Sequence, residues 1–328
     1  IRPMFLDKLW QEFDSVKTNT NKLKQFQRKI ASLRFLDPAC GCGNFLVITY
    51  RELRLLELEI LKELQRGQRV LDLESLMQCN VDRFYGIEFE EFPAQIAQVA
   101  LWLIDHQMNM QISQEFGEYF VRLPLRKSAK IVHANALKTE WDDLIEPLPW
   151  ETDADTKQYN YILGNPPFIG AMMMNDQQRE DIKVVSNNMK NHGVLDYISA
   201  WYIKAAKYLQ KYNVETNDLS TKTRVAFVST NSIAQGEQVG ILWNEMFNRF
   251  KVKIHFAHRT FKWNNEAKGN AAVHVIIVGF SNFDIQDKFI FEYSDLTSEP
   301  HELKVKNINP YLVEGKDFFI TNQSEPIC

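Results

Sequence analysis

The segment LRFLDPACGCGNF at residues 33–45 decides the fold. Its first five residues are a short apolar run that predicts a strand, and the two glycines that follow let the backbone turn tightly and approach a ligand. A helical pattern of leucines then continues to residue 65. A strand, a glycine loop and a helix in this order form the opening unit of a doubly wound α/β fold, in which the amides of the helix N-terminus face the ligand.

A glycine loop alone is a weak signal, because dehydrogenases also use one. The pattern here is D-P-x-x-G-x-G. The next candidate ribose acid is Glu88, which ends the strand-like run FYGIE at residues 84–88 and lies 45 positions after Gly43. The dinucleotide fingerprint is G-x-G-x-x-G, with its ribose acid about 20 positions further on. Glu88 alone would be a solvated acid, but after this loop it can accept from both hydroxyls of one ribose. The sequence therefore argues against a dinucleotide.

A second motif, NPPF at residues 165–168, follows the apolar run YNYILG. Two prolines must end a buried strand there, since proline has no N–H for the sheet. The motif then lies at the carboxyl edge, where open α/β sheets bind ligands. The Asn165 oxygen and a proline carbonyl can accept from one exocyclic amine, and Phe168 can stack on its base. A lone NPPF would equally fit a tight turn, so its meaning depends on the first motif.

Other patterns predict the rest of the sheet. Strands are expected at residues 130–137, 224–229, 253–257 and 274–280, and helices at 93–110, 195–209 and 238–250. With the three strands already described, the prediction is an α/β domain with a seven-stranded, mainly parallel sheet flanked by helices. The motif loops are expected on one edge of it.

Two residues and two segments stand out between these elements. Asn135 is placed to pair with a purine ring edge, and His133 before it is expected to be a buried core histidine. Residues 169–193 form a long loop that is either disordered or a lid. Residues 251–270 combine five Lys or Arg with aromatics, which suits a stacked, charged nucleic-acid strand or else an ordinary polar hairpin.

The composition is that of an ordinary globular protein of 328 residues, 45% hydrophobic and 24% charged, with a formal net charge of −4. No apolar run approaches the ~18 residues of a membrane span, and no signal peptide is visible, so a cytoplasmic location is expected. The net charge is unfavourable for a free-standing nucleic-acid binder. The four cysteines lack metal-ligand spacing, which predicts reduced structural thiols and no metal site.

Four motifs stand in the order of a known enzyme family: DPACGCGNF at 37–45, YGIE at 85–88, ANAL at 134–137 and NPPF at 165–168. The chain resembles the S-adenosylmethionine-dependent DNA methyltransferases that modify the N6 amine of adenine and carry the cofactor motif ahead of the catalytic one. The resemblance implies a Rossmann-like class I methyltransferase fold and S-adenosyl-L-methionine as cofactor. Segments such as VSTNSI and INPYL look more specifically like the MmeI-like restriction–modification enzymes, including YeeA-like proteins.

The resemblance implies roles for residues of this sequence. The glycine loop would hold the methionine part of the cofactor, Glu88 the ribose and Asn135 the adenine. Asn165 and Pro166 would accept from the target amine, and Phe168 and Phe261 would stack on the flipped base. The residues implied in cofactor binding are Asp37, Ala39, Cys40, Gly41, Gly43, Asn44, Phe45, Glu88 and Asn135, and those implied in catalysis are Asn165, Pro166, Pro167 and Phe168. Asn135 stands where the wider family usually has Asp, which keeps an acceptor without the charge.

The resemblance also implies a division of the chain. Residues 1–31 would be an N-terminal helical segment, 32–291 the methyltransferase catalytic domain, and 292–328 a linker towards a specificity domain. The specificity domain, and the nuclease domain of an MmeI-like enzyme, are expected in a longer protein of which this chain is a fragment. The expected partner is double-stranded DNA with a flipped adenine, and no membrane.

Two other functions stay open at this point. A methyltransferase that acts on RNA or on a protein glutamine shares the NPP core, usually with Tyr after it, and lacks the long loop and the basic segment. A non-catalytic specificity or binding module that kept the fold is the alternative from a different class. The complete set of motifs argues against it.

Overall fold

The computed structural model of the protein describes residues 1–66, 73–117, 128–146, 158–187, 189–213, 219, 221–263, 273–295 and 298–320. The chain forms two compact units, residues 1–164 and residues 165–328. Each unit contains both strands and helices. Among the described residues, no helix is long and apolar enough to span a bilayer.

The described part of the first unit contains four parallel strands. They are β1 (Phe35–Asp37), β2 (Phe84–Glu88), β3 (Lys130–His133) and β4 (Tyr161–Gly164), in the order β3-β2-β1-β4. The helices are α1 (Asp7–Val16), α2 (Thr20–Ser32), α3 (Asn44–Leu64), α4 (Leu73–Leu76) and α5 (Glu91–Phe116). Because all four strands are parallel, their carboxyl ends meet at one edge of the sheet. The chain leaves this edge after Asp37, Glu88, His133 and Gly164.

Aromatic rings hold the strands of this unit together. Phe35 of β1 stacks on Phe84 of β2 with 4.9 Å between ring centroids, and on Tyr161 of β4 with 5.4 Å. Phe5 packs against Tyr161 with 4.4 Å between centroids. All four side chains are buried, and burying one such ring contributes about 1.5–3 kcal/mol. The cluster therefore fixes the sheet whose edge carries the motifs.

A buried polar cluster joins α3 to α5. The Arg54 guanidinium donates to the Asp105 carboxylate at 3.0 Å, to Asn109 Oδ1 at 2.9 Å and to the Tyr50 hydroxyl at 2.6 Å. Removing one partner of such a buried ion pair leaves an uncompensated charge, which is strongly destabilising. The cluster thus fixes the helix that follows the glycine loop against the helix that follows Glu88.

Five strands of mixed direction lie in the residues of the second unit that the structure describes. They are β5 (Arg224–Thr230), β6 (Lys253–Trp263), β7 (Val273–Ser281), β8 (Lys288–Glu292) and β9 (His301–Val305), in the order β5-β7-β6-β8-β9. Strand β7 is antiparallel to β5 and β6, β8 is parallel to β6, and β9 is antiparallel to β8. The helices are α6 (Asp176–Ser186), α7 (Ser199–Tyr212) and α8 (Glu237–Asn244), the last followed by a π-helical turn at Glu245–Arg249.

The α/β class is confirmed, but the prediction of seven mainly parallel strands was wrong. The described residues hold nine strands, and those of the second unit are mostly antiparallel. The two missed strands are β8 and β9, and β9 lies inside the segment 292–328 that was expected to be a linker. Its sequence HELKV is mostly exposed and alternates polar with apolar residues over only four positions, Glu302 to Val305, which is the shortest run that indicates a strand.

Two local expectations also differ from the structure. The segment 169–193 contains α6, whose start is fixed by a capping box between Asn175 and Gln178. His133 is exposed rather than buried in the core, because it is the last residue of β3, which lies at the end of the strand order in the first unit.

Candidate cofactor and catalytic site

The loop between β1 and α3 turns on two glycines with positive φ. Gly41 has a φ of 53° and Gly43 a φ of 84°, a left-handed conformation that other residues adopt only with strain. A Cβ on Gly43 would also lie 3.1 Å from the Cβ of Ala97 on α5. The Gly43 N–H donates to the Cys40 carbonyl at 2.7 Å, which closes the turn. The 21-residue helix α3 starts at the next residue, so its N-terminal amides lie at this edge.

The Glu88 carboxylate links the loops that follow β1 and β2. Its Oε2 accepts from the Gly41 N–H at 2.8 Å, and its Oε1 accepts from the Glu90 N–H at 3.0 Å. The Glu88 backbone carbonyl accepts from the Ala134 N–H, beyond β3, at 2.8 Å. A carboxylate has about four acceptor positions, so these two side-chain bonds leave capacity for two hydroxyl donors. Glu88 can therefore shape the edge and bind a vicinal diol at the same time.

Asn135 shapes the loop after β3. Its side-chain oxygen accepts from the Leu137 N–H at 2.9 Å, and its backbone carbonyl accepts from the N–H groups of Lys138 and Thr139, each at 3.0 Å. The hydrogen bond from the Leu137 N–H uses one of the two acceptor positions of the side-chain oxygen and fixes the loop that lies beside Glu88. The role of Asn135 at a purine edge stays a prediction.

Asp37 is buried at the end of β1, with 1% of its surface exposed. Its Oδ1 accepts from the Ala39 N–H at 3.0 Å, and its Oδ2 has no hydrogen-bond partner among the described residues. Burial raises the pKa of Asp37 from 3.8 to about 8; the Glu88 charge adds to this rise and the Ala39 N–H opposes it. The carboxyl is thus mostly protonated near neutral pH, and its free end can donate a hydrogen bond.

The raised pKa of Asp37 predicts a stability that depends on pH. Between pH 4 and about 8 the folded protein retains a proton that the unfolded chain releases, so the free energy of unfolding falls as the pH rises. Asp37→Asn keeps the shape of the side chain and removes the titration, so its free energy of unfolding should fall less over this range. Urea unfolding of both proteins at a series of pH values measures the two slopes. If the free energy of unfolding changed equally with pH in both proteins, the raised pKa of Asp37 would be contradicted.

Strand β4 ends directly before the NPPF motif. A Cβ on its last residue, Gly164, would lie 2.5 Å from Asp37 Oδ1. The ends of β1 and β4 are therefore too close for any residue other than glycine at position 164. In the motif itself, Asn165 is exposed, Pro166 is buried and Phe168 is half-buried. The Ile169 carbonyl, one residue later, accepts from the Tyr197 N–H at 2.9 Å. The backbone directly after the motif is therefore held by Tyr197, while Asn165 is open to solvent.

Phe261 lies on β6, which extends to Trp263, whereas the strand was expected to end at residue 257 and to leave Phe261 outside it. The ring is half-buried and stacks on Tyr293, with 5.0 Å between centroids and 23° between planes. The Tyr293 hydroxyl hydrogen-bonds to His258 Nδ1 at 2.8 Å. Sequence analysis missed Tyr293 because it follows β8, a strand that the pattern did not reveal.

The basic segment 251–270 is only partly described, since residues 264–270 lie outside the described part. Within the rest, Arg259 forms an ion pair with Glu292, and Lys253 Nζ lies 3.3 Å from Asp317 Oδ2. Part of its positive charge is therefore neutralised within the second unit.

Two exposed aromatic residues after the YGIE motif at residues 85–88 were also missed. Phe89 is 64% exposed and Phe92 is 71% exposed, and both follow Glu88 closely in the chain. The sequence pattern that could have revealed them is two phenylalanines interleaved with acidic residues, directly after the glutamate that ends β2. Exposed rings at such a place suit the face of a planar base.

The cysteines make no metal site among the described residues. Cys40 and Cys79 are buried, Cys42 is exposed, and all three are free thiols. Burial raises the pKa of the Cys40 thiol far above its usual value. No group of three or more His, Cys, Asp or Glu side chains in the described ranges could hold a metal ion.

Residues 13–292 match the protein family described as "MmeI, DNA-methyltransferase domain". The chain belongs to this family. It is similar to DNA methyltransferase A of Bacillus subtilis (strain 168), with 40% identity over 330 residues that cover 100% of this chain and 35% of that protein. It is also similar to the Type IIL restriction-modification enzyme MmeI, solved in complex with DNA. That match has 53% identity and a TM-score of 0.91, and covers 100% of this chain and 42% of the MmeI chain.

These comparisons confirm the resemblance drawn from the four motifs, and they confirm the methyltransferase fold. The chain spans less than half the length of either relative. The first unit brings Asp37, the glycine loop, Glu88 and Asn135 to one edge of its sheet, and the NPPF motif begins at the end of β4. The roles of these residues stay predictions.

Proposed function

We propose that this chain transfers the methyl group of S-adenosylmethionine to the exocyclic N6 of adenine in DNA, as the modification domain of a restriction–modification enzyme. One observation carries the proposal. The glycine loop and Glu88 lie at the edge of the parallel sheet where β4 ends, and β4 leads directly into Asn165. Membership of a DNA-methyltransferase family supports DNA as the substrate.

The residues at this edge fit the cofactor. The Glu88 carboxylate has capacity for the two ribose hydroxyls, and Phe89 offers an exposed ring for the cofactor's adenine. The buried Oδ2 of Asp37 lacks a partner, and together with the loop from Ala39 to Phe45 it would hold the methionine part. Asn135 keeps the neighbouring loop in shape. When bound, S-adenosylmethionine supplies an electrophilic methyl group on a sulfonium centre.

The NPPF motif would act on the amine of the target base. The N6 nitrogen is a weak nucleophile because its lone pair is shared with the purine ring. The Asn165 oxygen and the Pro166 carbonyl would accept from its two N–H bonds, which favours a tetrahedral nitrogen and stabilises positive charge as it develops. Pro167 fixes the backbone φ, and Phe168 would stack on the base. Catalysis then consists of positioning and electrostatic stabilisation.

The adenine must leave the duplex to reach this motif. Extrusion costs a few kcal/mol, and stacking on an aromatic ring offsets about 1–3 kcal/mol of it. Phe168 and Phe261 are the proposed stacking residues. The contact with Tyr293 fixes the plane of the Phe261 ring. The ring therefore already has its stacking orientation before the base binds.

Because the relatives are more than twice as long as this chain, we propose that specificity and nuclease functions belong to other parts of the protein. The test of the proposed function is mass spectrometry of nucleosides after incubation of DNA with the full-length protein and labelled S-adenosylmethionine. N6-methyladenine is expected in DNA. Label in RNA or in protein glutamine instead would indicate the related methyltransferases, and no label in any substrate would indicate a binding module.

Glu88→Ala should lower the affinity for S-adenosylmethionine by at least about tenfold, because hydrogen bonds to a charged group contribute about 1.5–3 kcal/mol each. Calorimetry with S-adenosylmethionine measures the loss, and NAD should show no binding. Glu90→Ala is the matched control, since the Glu90 side chain is exposed and only its backbone N–H contacts Glu88. Unchanged affinity in Glu88→Ala, or binding of NAD, would remove the cofactor assignment.

A further inference from the structure

A bulge in β6 turns Phe261 towards the face of the sheet that carries His258. His258 pairs with Ile277 of β7 and Phe261 pairs with Val275, so β6 has one residue more than β7 between these two pairs. Side chains of a regular strand alternate between the two faces, and positions 258 and 261 would then lie on opposite faces. The extra residue brings both rings to one face, with 6.2 Å between their centroids.

Contacts from two other elements hold this bulge. The Thr260 hydroxyl donates to Asn231 Oδ1, directly after β5, at 3.1 Å. Arg259 forms an ion pair with Glu292, the last residue of β8. Bulges next to functional sites commonly re-aim a side chain, and here the residue that is re-aimed is Phe261.

Two rings on the β8 side complete an aromatic cluster around Phe261. His258 stacks on Phe291 of β8, with 4.2 Å between ring centroids and 9° between planes. Its Nδ1 hydrogen-bonds to the Tyr293 hydroxyl at 2.8 Å. Burial lowers the pKa of the His258 ring from 6.5 to about 4, so near neutral pH the ring is neutral and has one nitrogen that can accept from a hydroxyl.

The Tyr293 ring is therefore held at two points. Its hydroxyl contacts His258, and its face lies against Phe261 with 5.0 Å between centroids and 23° between planes. The His258 ring is tilted by 60° to the Phe261 ring. Because Tyr293 covers one face of Phe261, a base that stacks on Phe261 has to use the opposite face.

We infer that His258 and Tyr293 are positioning residues for the extruded adenine, which act through Phe261. The inference rests on the proposed function, in which Phe261 stacks on that base. The hydrogen bond fixes the Tyr293 ring, the Tyr293 ring fixes the plane of Phe261, and this plane determines where the base lies. A side chain that is ordered before binding loses less conformational freedom when its partner arrives, and a supporting hydrogen bond provides that order.

The first test is Tyr293→Phe in the full-length protein, on a duplex whose methylated site is known from sequencing. The substitution keeps the ring against Phe261 and removes only the hydroxyl. Single-turnover methyl transfer should fall about three- to tenfold, the effect expected of one neutral hydrogen bond. Affinity for S-adenosylmethionine should stay unchanged, since the proposed cofactor residues are intact.

Tyr311→Phe is the matched control. The Tyr311 ring stacks on Phe318 with 5.0 Å between centroids and 24° between planes, which is almost the geometry of the pair formed by Phe261 and Tyr293. Its hydroxyl also accepts a hydrogen bond, from the Ile320 N–H at 3.0 Å. The same change at this second pair should leave the rate of methyl transfer as it is.

The second test shows whether the effect passes through Phe261. In a Phe261→Ala protein, Tyr293→Phe should lower the remaining rate by less than about twofold, because residues that act through one contact are not additive. On the histidine side, His258→Asn keeps an acceptor near the place of Nδ1 and should retain more activity than His258→Leu.

Three results would overturn the positioning role and leave the proposed function intact. They are an unchanged rate in Tyr293→Phe, an unchanged rate in Phe261→Ala, and an equal loss from Tyr293→Phe with and without Phe261. Absence of N6-methyladenine with the unsubstituted protein would instead overturn the proposed function itself.

Discussion

Replacing Asn165 by Ala should lower the rate of methyl transfer by about a hundredfold or more, which is the scale of loss when one polar stabiliser of a transition state is removed. The proposed hydrogen bond from the target amine strengthens as positive charge develops on nitrogen, so its loss affects the chemical step most. Asn165 is exposed, so the substitution leaves no buried group unpaired. Single-turnover kinetics with labelled S-adenosylmethionine measures the rate.

Cofactor affinity separates this role from a structural one. Glu88 and the glycine loop remain intact in Asn165→Ala, so S-adenosylmethionine should bind as tightly as before. Asn165→Asp keeps an acceptor oxygen and should retain more activity than Asn165→Ala. Two results would contradict a role of Asn165 at the amine. The first is a loss of cofactor affinity in Asn165→Ala that accompanies the loss of rate. The second is an equal loss of rate in Asn165→Asp and Asn165→Ala.

The features of the first unit that could be predicted from the sequence are those encoded locally. Strand β2 was expected at residues 84–88 and lies there, because an apolar run ending in an acid has a clear boundary. The glycine loop was expected for a similar reason, since Gly41 and Gly43 adopt conformations that few other residues tolerate. Parallel order then brought Asp37 and Glu88 to the same edge, as expected.

The features that could not be predicted depend on contacts distant in the sequence. Strand β9 pairs with β8, and its own alternation of polar and apolar residues covers only four positions. The position of Phe261 depends on Tyr293, 32 residues later, and on the extension of β6 to Trp263. The hydrogen bond between Glu88 and Gly41 joins residues 47 positions apart. Local propensity contains no information about such partners.

Gly164→Ala should destabilise the protein by about 1–3 kcal/mol, the usual effect of forcing extra volume into a packed site. The new Cβ would lie 2.5 Å from Asp37 Oδ1. Asp37 cannot turn away easily, because it is buried and accepts from the Ala39 N–H. The ends of β1 and β4 would have to separate, which would disturb the glycine loop that follows β1 and lower methyl transfer as well. Urea unfolding and single-turnover rates measure the two effects.

Two controls test whether the short distance between Gly164 and Asp37 causes the loss of stability. Gly193→Ala adds the same methyl group where nothing lies within 4 Å, and should leave the free energy of unfolding almost unchanged. Asp37→Ala removes the atom that the new Cβ would meet, so Gly164→Ala should destabilise an Asp37→Ala protein less than it destabilises the natural one. Such non-additivity is expected only of residues in contact. If the two losses of stability simply added, the clash with Asp37 would not be the reason for glycine at the end of β4.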